Sequence, residues 1–183
     1  MRHQDSATPP AALPGAAGYR FAVIVSRFNP SITDALQRGA HDALREAGAT
    51  PDDIHVLMVP GAFELPQAAR CAAETGRYDA IVCLGCVIRG ETPHFEYISA
   101  AVAHGIMAAA GETGLPIAFG VLTTDTQAQA DERAGPGRDN KGWEAAAAAI
   151  EMAVLFRDLG RPAARAQARP FGFEAGAARG QDS

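Results

Sequence analysis

Four short apolar runs, rich in Val and Ile and separated by longer segments, constrain the fold of this chain more than any other feature. They occupy Phe21–Val25, Ile54–Val59, Ala80–Leu84 and Ile117–Leu122. In the intervening segments the apolar residues recur at helical spacing, and alternation of strands with helices is typical of βα units. Because the runs lack polar alternation, they indicate parallel strands that are buried on both faces. The sequence therefore predicts an α/β fold, a three-layer α/β/α sandwich around a four-stranded parallel sheet.

Capping signals predict where the helices begin and end. A serine followed three residues later by an acid marks the start of the first helix, and a threonine before a proline marks that of the third. Glycines are expected to stop these two helices. The residues concerned are Ser31 and Gly48 for the first helix, Glu64 and Thr75 for the second, Thr92, Pro93, Ala110, Gly111 and Gly114 for the third, Thr126 for a short fourth helix, and Lys141 and Asp158 for the last.

The chain has 183 residues, enough for one domain with some excess. Hydrophobic residues make up 48% and charged residues 20%, which fits a globular protein with an apolar core. Residues 19 to 159 carry the predicted strands and helices, whereas residues 1 to 18 and 160 to 183 mix Pro, Gly and Ala without periodicity. We therefore expect a single domain with flexible N-terminal and C-terminal tails.

Composition also argues against several classes of protein. The chain has 16 Lys and Arg residues against 21 Asp and Glu residues, a formal net charge of -5, which disfavours nucleic acid as a partner. The uncharged stretch Ile98–Gly111 is shorter than the roughly 20 apolar residues that a membrane span needs. The N-terminal residues show no continuous apolar segment of the kind that a secretory signal has. We expect a cytoplasmic protein that uses neither a membrane nor nucleic acid.

The three cysteines do not suggest a disulfide framework, although Cys83 and Cys86 match the pattern C-x-x-C. Cys83 lies inside an apolar strand pattern, whereas a redox pair would stand at a helix N-terminus. A metal ion would need two further ligands, Cys71 is the only other thiol, and the histidines follow no metal-ligand spacing. We predict no metal site and no redox function, and we assign Cys83 to the core.

In an open parallel sheet, ligands bind beyond the carboxyl ends of the strands, so the segments that follow the strands are expected to carry the chemistry. The first of them lacks the glycine-rich dinucleotide fingerprint, and no phosphate-binding loop for ATP occurs in the chain. It carries Phe28 and Asn29, which are suited to stack a flat heterocycle and to hydrogen-bond its edge. A core phenylalanine and a turn asparagine are the alternative interpretation. After the second strand, Glu64 is suited to accept hydrogen bonds from hydroxyls, or else is a solvated glutamate in a first helical turn.

The segment Gly90–His94 has the features of an anion site. Gly90 permits close approach of the backbone to a ligand, and the start of the following helix offers free amides and the positive end of a helix dipole. His94 would lie beside the anion, and histidine is well suited to proton transfer near neutral pH. A surface or capping histidine is the alternative. Arg133 and Lys141 flank a Gly-Pro-Gly break and are suited to hold a phosphate, or else are solvated charges.

Together these segments resemble the 6,7-dimethyl-8-ribityllumazine synthase family of riboflavin biosynthesis. The resemblance extends over residues 19 to 159, with the motifs in the family's order. Several linked motifs in register are far more specific than any one of them. The motifs are Arg27-Phe-Asn29, Val59-Pro-Gly-Ala-Phe-Glu64, Leu84-Gly-Cys-Val-Ile-Arg-Gly-Glu-Thr-Pro-His94, Phe119-Gly-Val-Leu-Thr-Thr124, Glu132-Arg-Ala-Gly135 and Asn140-Lys-Gly142.

The resemblance implies a flavodoxin-like fold and a transferase that needs no metal or organic cofactor. The reaction would condense 5-amino-6-(D-ribitylamino)uracil with 3,4-dihydroxy-2-butanone 4-phosphate to give 6,7-dimethyl-8-ribityllumazine, phosphate and water. Phe28 would stack the pyrimidine, the amides of Glu91 and Thr92 would bind the phosphate, and His94 would be the catalytic proton carrier. The candidate substrate-binding residues are Phe28, Asn29, Ala62, Phe63, Glu64, Cys86, Val87, Ile88, Glu91, Thr92, Phe119, Arg133 and Lys141.

The resemblance also implies a homo-oligomer. In this family the active site lies between subunits of a homopentamer, so Phe119 and Arg133 would come from the neighbour of the subunit that offers His94. Pentamers of the family remain single or build a sixty-subunit icosahedral shell, and both assemblies stay open here. A non-catalytic riboflavin- or lumazine-binding protein of the same fold is the alternative function, although such a binder would not need His94.

Overall fold

The computed structural model describes residues 12–160. Its centre is a sheet in which four strands lie in the order β2-β1-β3-β4 and every neighbouring pair is parallel. The strands are β1 (Phe21–Ser26), β2 (Ile54–Val59), β3 (Ala80–Ile88) and β4 (Ile117–Thr124). This sheet confirms the predicted α/β fold.

Helices cover both faces of the sheet. The α-helices of residues 12–160 are α1 (Pro30–Glu46), α2 (Leu65–Glu74), α3 (His94–Thr113), α4 (Gln127–Arg133) and α5 (Lys141–Asp158), and short 3-10 turns occupy Pro51–Asp53 and Ala62–Glu64. Side chains of a strand point alternately to its two faces. Accordingly Phe21 and Val23 of β1 pack with α1 and α5, whereas Ala22 and Ile24 pack with α2 and α3. The two cores on either side of the sheet make the predicted three-layer sandwich.

Strand β3 is longer than the sequence predicted. The expected strand ended at Leu84, but pairing with β4 continues from Gly85 opposite Val121 to Ile88 opposite Thr124. Gly85 fits because a side chain there would meet Leu65 at 3.1 Å, so the strand and helix α2 approach closely. Residues Cys86 to Ile88 therefore belong to the sheet and not to a loop, and their backbone is held rigidly.

The prediction that all four strands are buried on both faces is wrong for β2. Val56, Leu57 and Met58 are 37%, 37% and 48% exposed. The physical reason is position, because β2 is an edge strand that pairs only with β1. The other edge strand, β4, exposes Phe119 to 46%. The order of strands, which composition does not encode, decides which apolar runs are covered.

The first helix begins one residue before the expected serine. Asn29 occupies the N-cap position with a left-handed backbone (φ 60°, ψ 57°), and Pro30 is the first helical residue. The fixed φ of proline suits this position, so Pro30 replaces Ser31 as the start signal. The prediction for the fourth helix is confirmed, since the side chain of Thr126 accepts a hydrogen bond from the backbone N–H of Gln129.

The third helix also differs from its prediction at both ends. Pro93, and not Thr92, is the N-cap residue, and the helix begins at His94. It continues through Gly111 and ends at Gly114, which adopts the left-handed conformation (φ 62°) typical of a C-terminal glycine. The helix is therefore 20 residues long, and the positive end of its dipole lies at His94.

The chain before β1 is partly packed. Ala16 is fully buried, and its backbone N–H donates to the carbonyl of Ala47 at 2.7 Å. The predicted tail of residues 1 to 18 therefore includes a segment that contacts the core. The rest of that tail, residues 1–11, and residues 161–183 of the predicted C-terminal tail lie outside the described residues. Within residues 12–160, no helix is long and apolar enough to cross a membrane.

Candidate active site

A cleft of about 340 Å³ opens at the carboxyl ends of β1 and β3, beside the start of α3. Parallel strands all end at this edge of the sheet, so segments that are far apart in the sequence converge there. The candidate residues that line the cleft are Phe28, Ala62, Phe63, Cys86, Val87, Ile88, Thr92 and His94, and Gly61, Gly90, Phe95 and Ile98 complete its wall. The structure thus brings most of the predicted site residues to one place.

Two phenylalanine rings in the cleft face solvent. Phe28 is 68% exposed and Phe63 is 57% exposed, whereas Phe95 is buried. Phe28 is therefore not a core residue, contrary to the alternative interpretation of the sequence. Exposed aromatic rings in a concave site offer stacking surface for a flat heterocycle.

Asn29 contacts the protein itself. Its side-chain amide Nδ2 donates to the carbonyl of Cys86 at 3.0 Å, which joins the end of β1 to β3. The left-handed backbone of Asn29 gives this direction to the side chain, and asparagine is among the few non-glycine residues that tolerate it. Asn29 therefore orients the strand segment that forms one wall of the cleft.

His94 is exposed and stands where helix α3 begins. The first turn of a helix has backbone N–H groups without intrahelical partners, and the dipole places positive charge there. Gly90 and Thr92 line the cleft beside it. No other atom lies within 4 Å of the position that a Cβ on Gly90 would take, so the backbone is accessible to a ligand. This end of the cleft can receive an anion next to an imidazole.

The thiols of the cleft region are unreactive. Burial raises the pKa of Cys83 to about 12. Burial, and next the negative charge of Asp131, raise the pKa of Cys86 to about 11. Thiolates are the nucleophiles and the metal ligands, so both cysteines are inert at neutral pH. Among residues 12–160, no group of three or more His, Cys, Asp and Glu side chains is arranged to hold a metal ion.

Three candidate residues lie away from His94, in a second cleft of about 520 Å³ between β4, α4 and α5. Phe119, Arg133 and Lys141 line it, and none of its lining residues belongs to the first cleft. The guanidinium of Arg133 donates to the carbonyl of Gln129 at 3.0 Å. The ammonium of Lys141 pairs with Glu144 at 2.6 Å. One subunit thus carries two separate halves of the predicted site.

Comparison with known proteins shows the family. The family model described as 6,7-dimethyl-8-ribityllumazine synthase matches residues 18–157. The chain belongs to this lumazine synthase family. It is 57% identical over 144 residues to the protein of Syntrophus aciditrophicus (strain SB) named 6,7-dimethyl-8-ribityllumazine synthase, and this alignment covers 79% of the chain and 94% of that relative. The resemblance seen in the motifs is confirmed, and with it a transferase of riboflavin biosynthesis.

The two acidic candidates of this lumazine synthase sit at the border of the first cleft. Glu64 belongs to the 3-10 turn Ala62–Glu64, and its Oε2 atom folds back to within 3.1 Å of the position of a Cβ on Gly61. Gly61 lines the cleft, so the carboxylate of Glu64 is beside it. Glu91 is exposed and does not line the cleft, so its carboxylate does not occupy the anion site.

Sequence reasoning missed Arg89, the first residue after β3. Its Nε donates to Asp125 at 2.7 Å, and its Nη1 donates to Glu96 at 3.2 Å. The guanidinium carbon also lies 4.4 Å from the ring centroid of Phe95. These hydrogen bonds raise the pKa of Arg89. Arg89 lies within the family motif Leu84–His94, but the spacing of the sequence gives no sign of its partners.

Asn140, which precedes Lys141, was also missed, and it fixes the second cleft. The side chain is buried, with only 3% of the residue exposed. Its Oδ1 accepts from the backbone N–H groups of two residues of α5, and its Nδ2 contacts three carbonyls of α1 and the α4–α5 connection. The two donors are Gly142 and Trp143, at 2.8 and 3.3 Å, and the three carbonyls are those of Ala35, Ala134 and Gly135, at 3.2, 2.9 and 2.8 Å. Asn140 therefore sets the position of Lys141 relative to the end of α4.

Proposed function

We propose that the first cleft is the place where this lumazine synthase condenses 5-amino-6-(D-ribitylamino)uracil with 3,4-dihydroxy-2-butanone 4-phosphate. The amine of the first substrate is the nucleophile, so the reaction needs positioning, an anion site and a proton carrier, and it needs no enzyme nucleophile. The observation that carries the proposal is the meeting in one cleft of an exposed phenylalanine, the end of β3 and the first turn of α3 with His94. The inert thiols are compatible with this chemistry.

The pyrimidine is held at the strand ends in this proposal. Its ring stacks on the exposed ring of Phe28, and its edge meets the backbone of Cys86, Val87 and Ile88. Ala62 and Phe63 contact the uracil, and the carboxylate of Glu64 accepts from hydroxyls of the ribityl chain. The hydrogen bond from Asn29 to Cys86 keeps the strand segment rigid, which lowers the cost of ordering the site on binding.

The phosphate lies at the start of α3 in this proposal. The amides of Glu91 and Thr92 and the helix dipole favour its negative charge. The exposed carboxylate of Glu91 points to solvent, where water screens it. The neighbouring subunit supplies Arg133 as the cationic partner, together with Phe119. Lys141 lies in the same second cleft, and its ammonium, which pairs with Glu144 within one subunit, is a second candidate cation for the phosphate.

His94 carries protons between the reacting atoms. Imine formation removes water from the carbonyl carbon, elimination expels the phosphate, and ring closure removes a second water. Each step moves a proton, and an imidazole can both give and take protons. In this proposal the imidazole of His94, which lines the cleft together with Gly90 and Thr92, lies next to the departing phosphate.

A shared site requires a homo-oligomer, and we propose a homopentamer, either single or as part of an icosahedral shell. The separation of the two clefts on one subunit supports it, since Arg133 and His94 line different clefts. Exposed apolar residues also support a buried contact, because Tyr97 and Met107 of α3 are both 74% exposed. A cytoplasmic location stays a prediction of the sequence.

A continuous absorbance assay with both substrates tests the function, with a blank without enzyme because the uncatalysed condensation is slow but finite. Formation of the lumazine chromophore above the blank is the expected result. Light scattering on the same sample gives the size of the assembly. Absence of turnover in an assembled sample that binds riboflavin would favour the non-catalytic binder, and turnover by a verified monomer would contradict the shared site.

A further inference from the structure

The side chain of Arg89 bridges the two ends of the segment that carries the phosphate site. Its backbone N–H donates to the carbonyl of Thr124 at 2.9 Å, which fixes Arg89 at the end of the β3–β4 pairing. From there the guanidinium reaches forward over residues 90–93 to Phe95 and Glu96 in the first turn of α3, and sideways to Asp125 after β4. One side chain therefore ties the end of the sheet to the start of the helix.

The segment between these contacts has little else to hold it. In the described part of the chain, the side chains of Glu91 and Thr92 make no hydrogen bond to the protein, and Gly90 has free space around its Cα. Glycine adds backbone freedom that other residues do not have. Helix α3 itself is held by its buried residues Phe95, Val102 and Ile106, so the contacts of Arg89 act on how the segment 90–93 is held between β3 and α3.

Arg89 also offsets part of the negative charge of two carboxylates near an anion site, since its single positive charge pairs with both. Glu96 and Asp125 would carry two unpaired negative charges close to the first turn of α3, and Arg89 pairs with both. A doubly charged phosphate ester would be repelled by such charges within the screening length, about 8 Å at physiological salt. The contacts of Arg89 thus favour phosphate binding through geometry and through charge.

We propose that Arg89 is a positioning residue for the phosphate-bearing substrate, which it does not touch: it holds the segment 90–93 in place and offsets part of the negative charge of Glu96 and Asp125. This inference rests on the phosphate site proposed above. The three side chains are 45%, 65% and 64% exposed, and exposed ion pairs contribute little to stability. Loss of Arg89 should therefore appear in the binding of phosphate more than in the stability of the fold.

The test compares Arg89→Met and Arg89→Lys with a matched control, Arg70→Met. Arg70 also bridges two carboxylates, Glu74 at 3.0 Å and Glu112 at 2.6 Å, but does so between α2 and α3, away from the first cleft. For each variant one measures kcat, the KM of both substrates and the inhibition constant of inorganic phosphate, with light scattering to verify assembly.

For Arg89→Met we expect the KM of the phosphate substrate and the inhibition constant of inorganic phosphate to rise about five- to tenfold, the size of one weakened charged contact. The KM of the amine substrate should stay within twofold. Arg89→Lys keeps the charge but lacks the planar fork, so it should give an intermediate rise of about threefold. Arg70→Met should match the wild type in all these quantities.

The inference is overturned if the KM of the phosphate substrate and the inhibition constant of inorganic phosphate are unchanged in Arg89→Met. An equal rise in the KM of both substrates would also overturn it, because it would indicate a merely structural role. If Arg89→Met does not assemble, Arg89→Lys decides, and wild-type constants in that variant overturn the inference. Arg133→Ala separates the two proposals. If these phosphate constants rise in Arg133→Ala but not in Arg89→Met, the proposed phosphate site is supported and the role of Arg89 is refuted. If they rise in neither variant, the proposed phosphate site itself is refuted.

Discussion

Replacement of Asn140 by alanine should destabilise the fold more than removal of an ordinary helix cap does. The buried side chain makes two contacts through Oδ1 to the start of α5 and three through Nδ2 to carbonyl groups. Loss of the cap costs about 1 kcal/mol. Carbonyls left buried without a donor add about 1–3 kcal/mol. We expect the free energy of unfolding to fall by about 2–4 kcal/mol.

Two further variants divide this effect. Thr126→Ala removes the N-cap of α4, a single exposed hydrogen bond, and should cost about 0.5–1 kcal/mol. Asn140→Asp keeps an oxygen for the two N–H groups of α5 but replaces the amide donor by a second oxygen that faces three carbonyls. It should therefore remain at least about 2 kcal/mol less stable than the wild type.

Urea unfolding followed by far-UV circular dichroism measures these differences. All variants are compared at one protomer concentration, because assembly makes apparent stability depend on concentration. A loss below about 1 kcal/mol in Asn140→Ala would refute the reasoning, because it would show that the five contacts contribute no more than a surface cap. Wild-type stability in Asn140→Asp would refute the part assigned to the amide donor.

Three other predictions concern the chemistry of the site. His94→Ala should lower kcat by about 10²-fold, the low end of general acid–base effects, with assembly intact by light scattering, and an unchanged kcat would remove His94 from proton transfer. Arg133→Ala should mainly raise the KM of the phosphate substrate, as loss of a charged anchor does, and a constant KM in steady-state kinetics would exclude that role. At pH 7 a thiol reagent should label Cys71, which is exposed, and should not label Cys83 and Cys86. Their raised pKa values keep Cys83 and Cys86 protonated until the pH approaches about 12 and 11, respectively. Adducts on these two buried cysteines in mass spectrometry would contradict this prediction.

The strands were predictable because each is a local apolar run, and their ends were not. Pairing with β4 extends β3 to Ile88, past Gly85, which as a single residue suggests the end of a strand. The exposure of β2 follows from its place at the edge of the sheet, and the order of strands is a property of the whole chain. Two start signals lie next to each other at the beginning of α1, and the helix begins at Pro30 and not after Ser31 as its N-cap.

In the candidate site, too, the residues with a local sequence signal were predictable and those with distant partners were not. Phe28 and His94 were found because each directly follows a strand or begins a helix, and the fold brings such positions together. The roles of Asn140 and Arg89 were missed because each joins local partners to one that is distant in the sequence. The amide of Asn140 contacts a carbonyl 105 residues away, and Arg89 contacts Asp125, 36 residues away. No short pattern in the sequence carries such pairings.

The separation of the two clefts makes every subunit both a donor and an acceptor of site residues. Activity in the proposed assembly then belongs to junctions and not to subunits, so a closed ring has as many complete sites as members, whereas an open row of the same length always has one fewer. It also follows that two subunits that are each inactive by themselves can form active sites together. In a ring mixed at random from equal amounts of a subunit without His94 and a subunit without Arg133, roughly a quarter of the junctions would still join an intact half to an intact half.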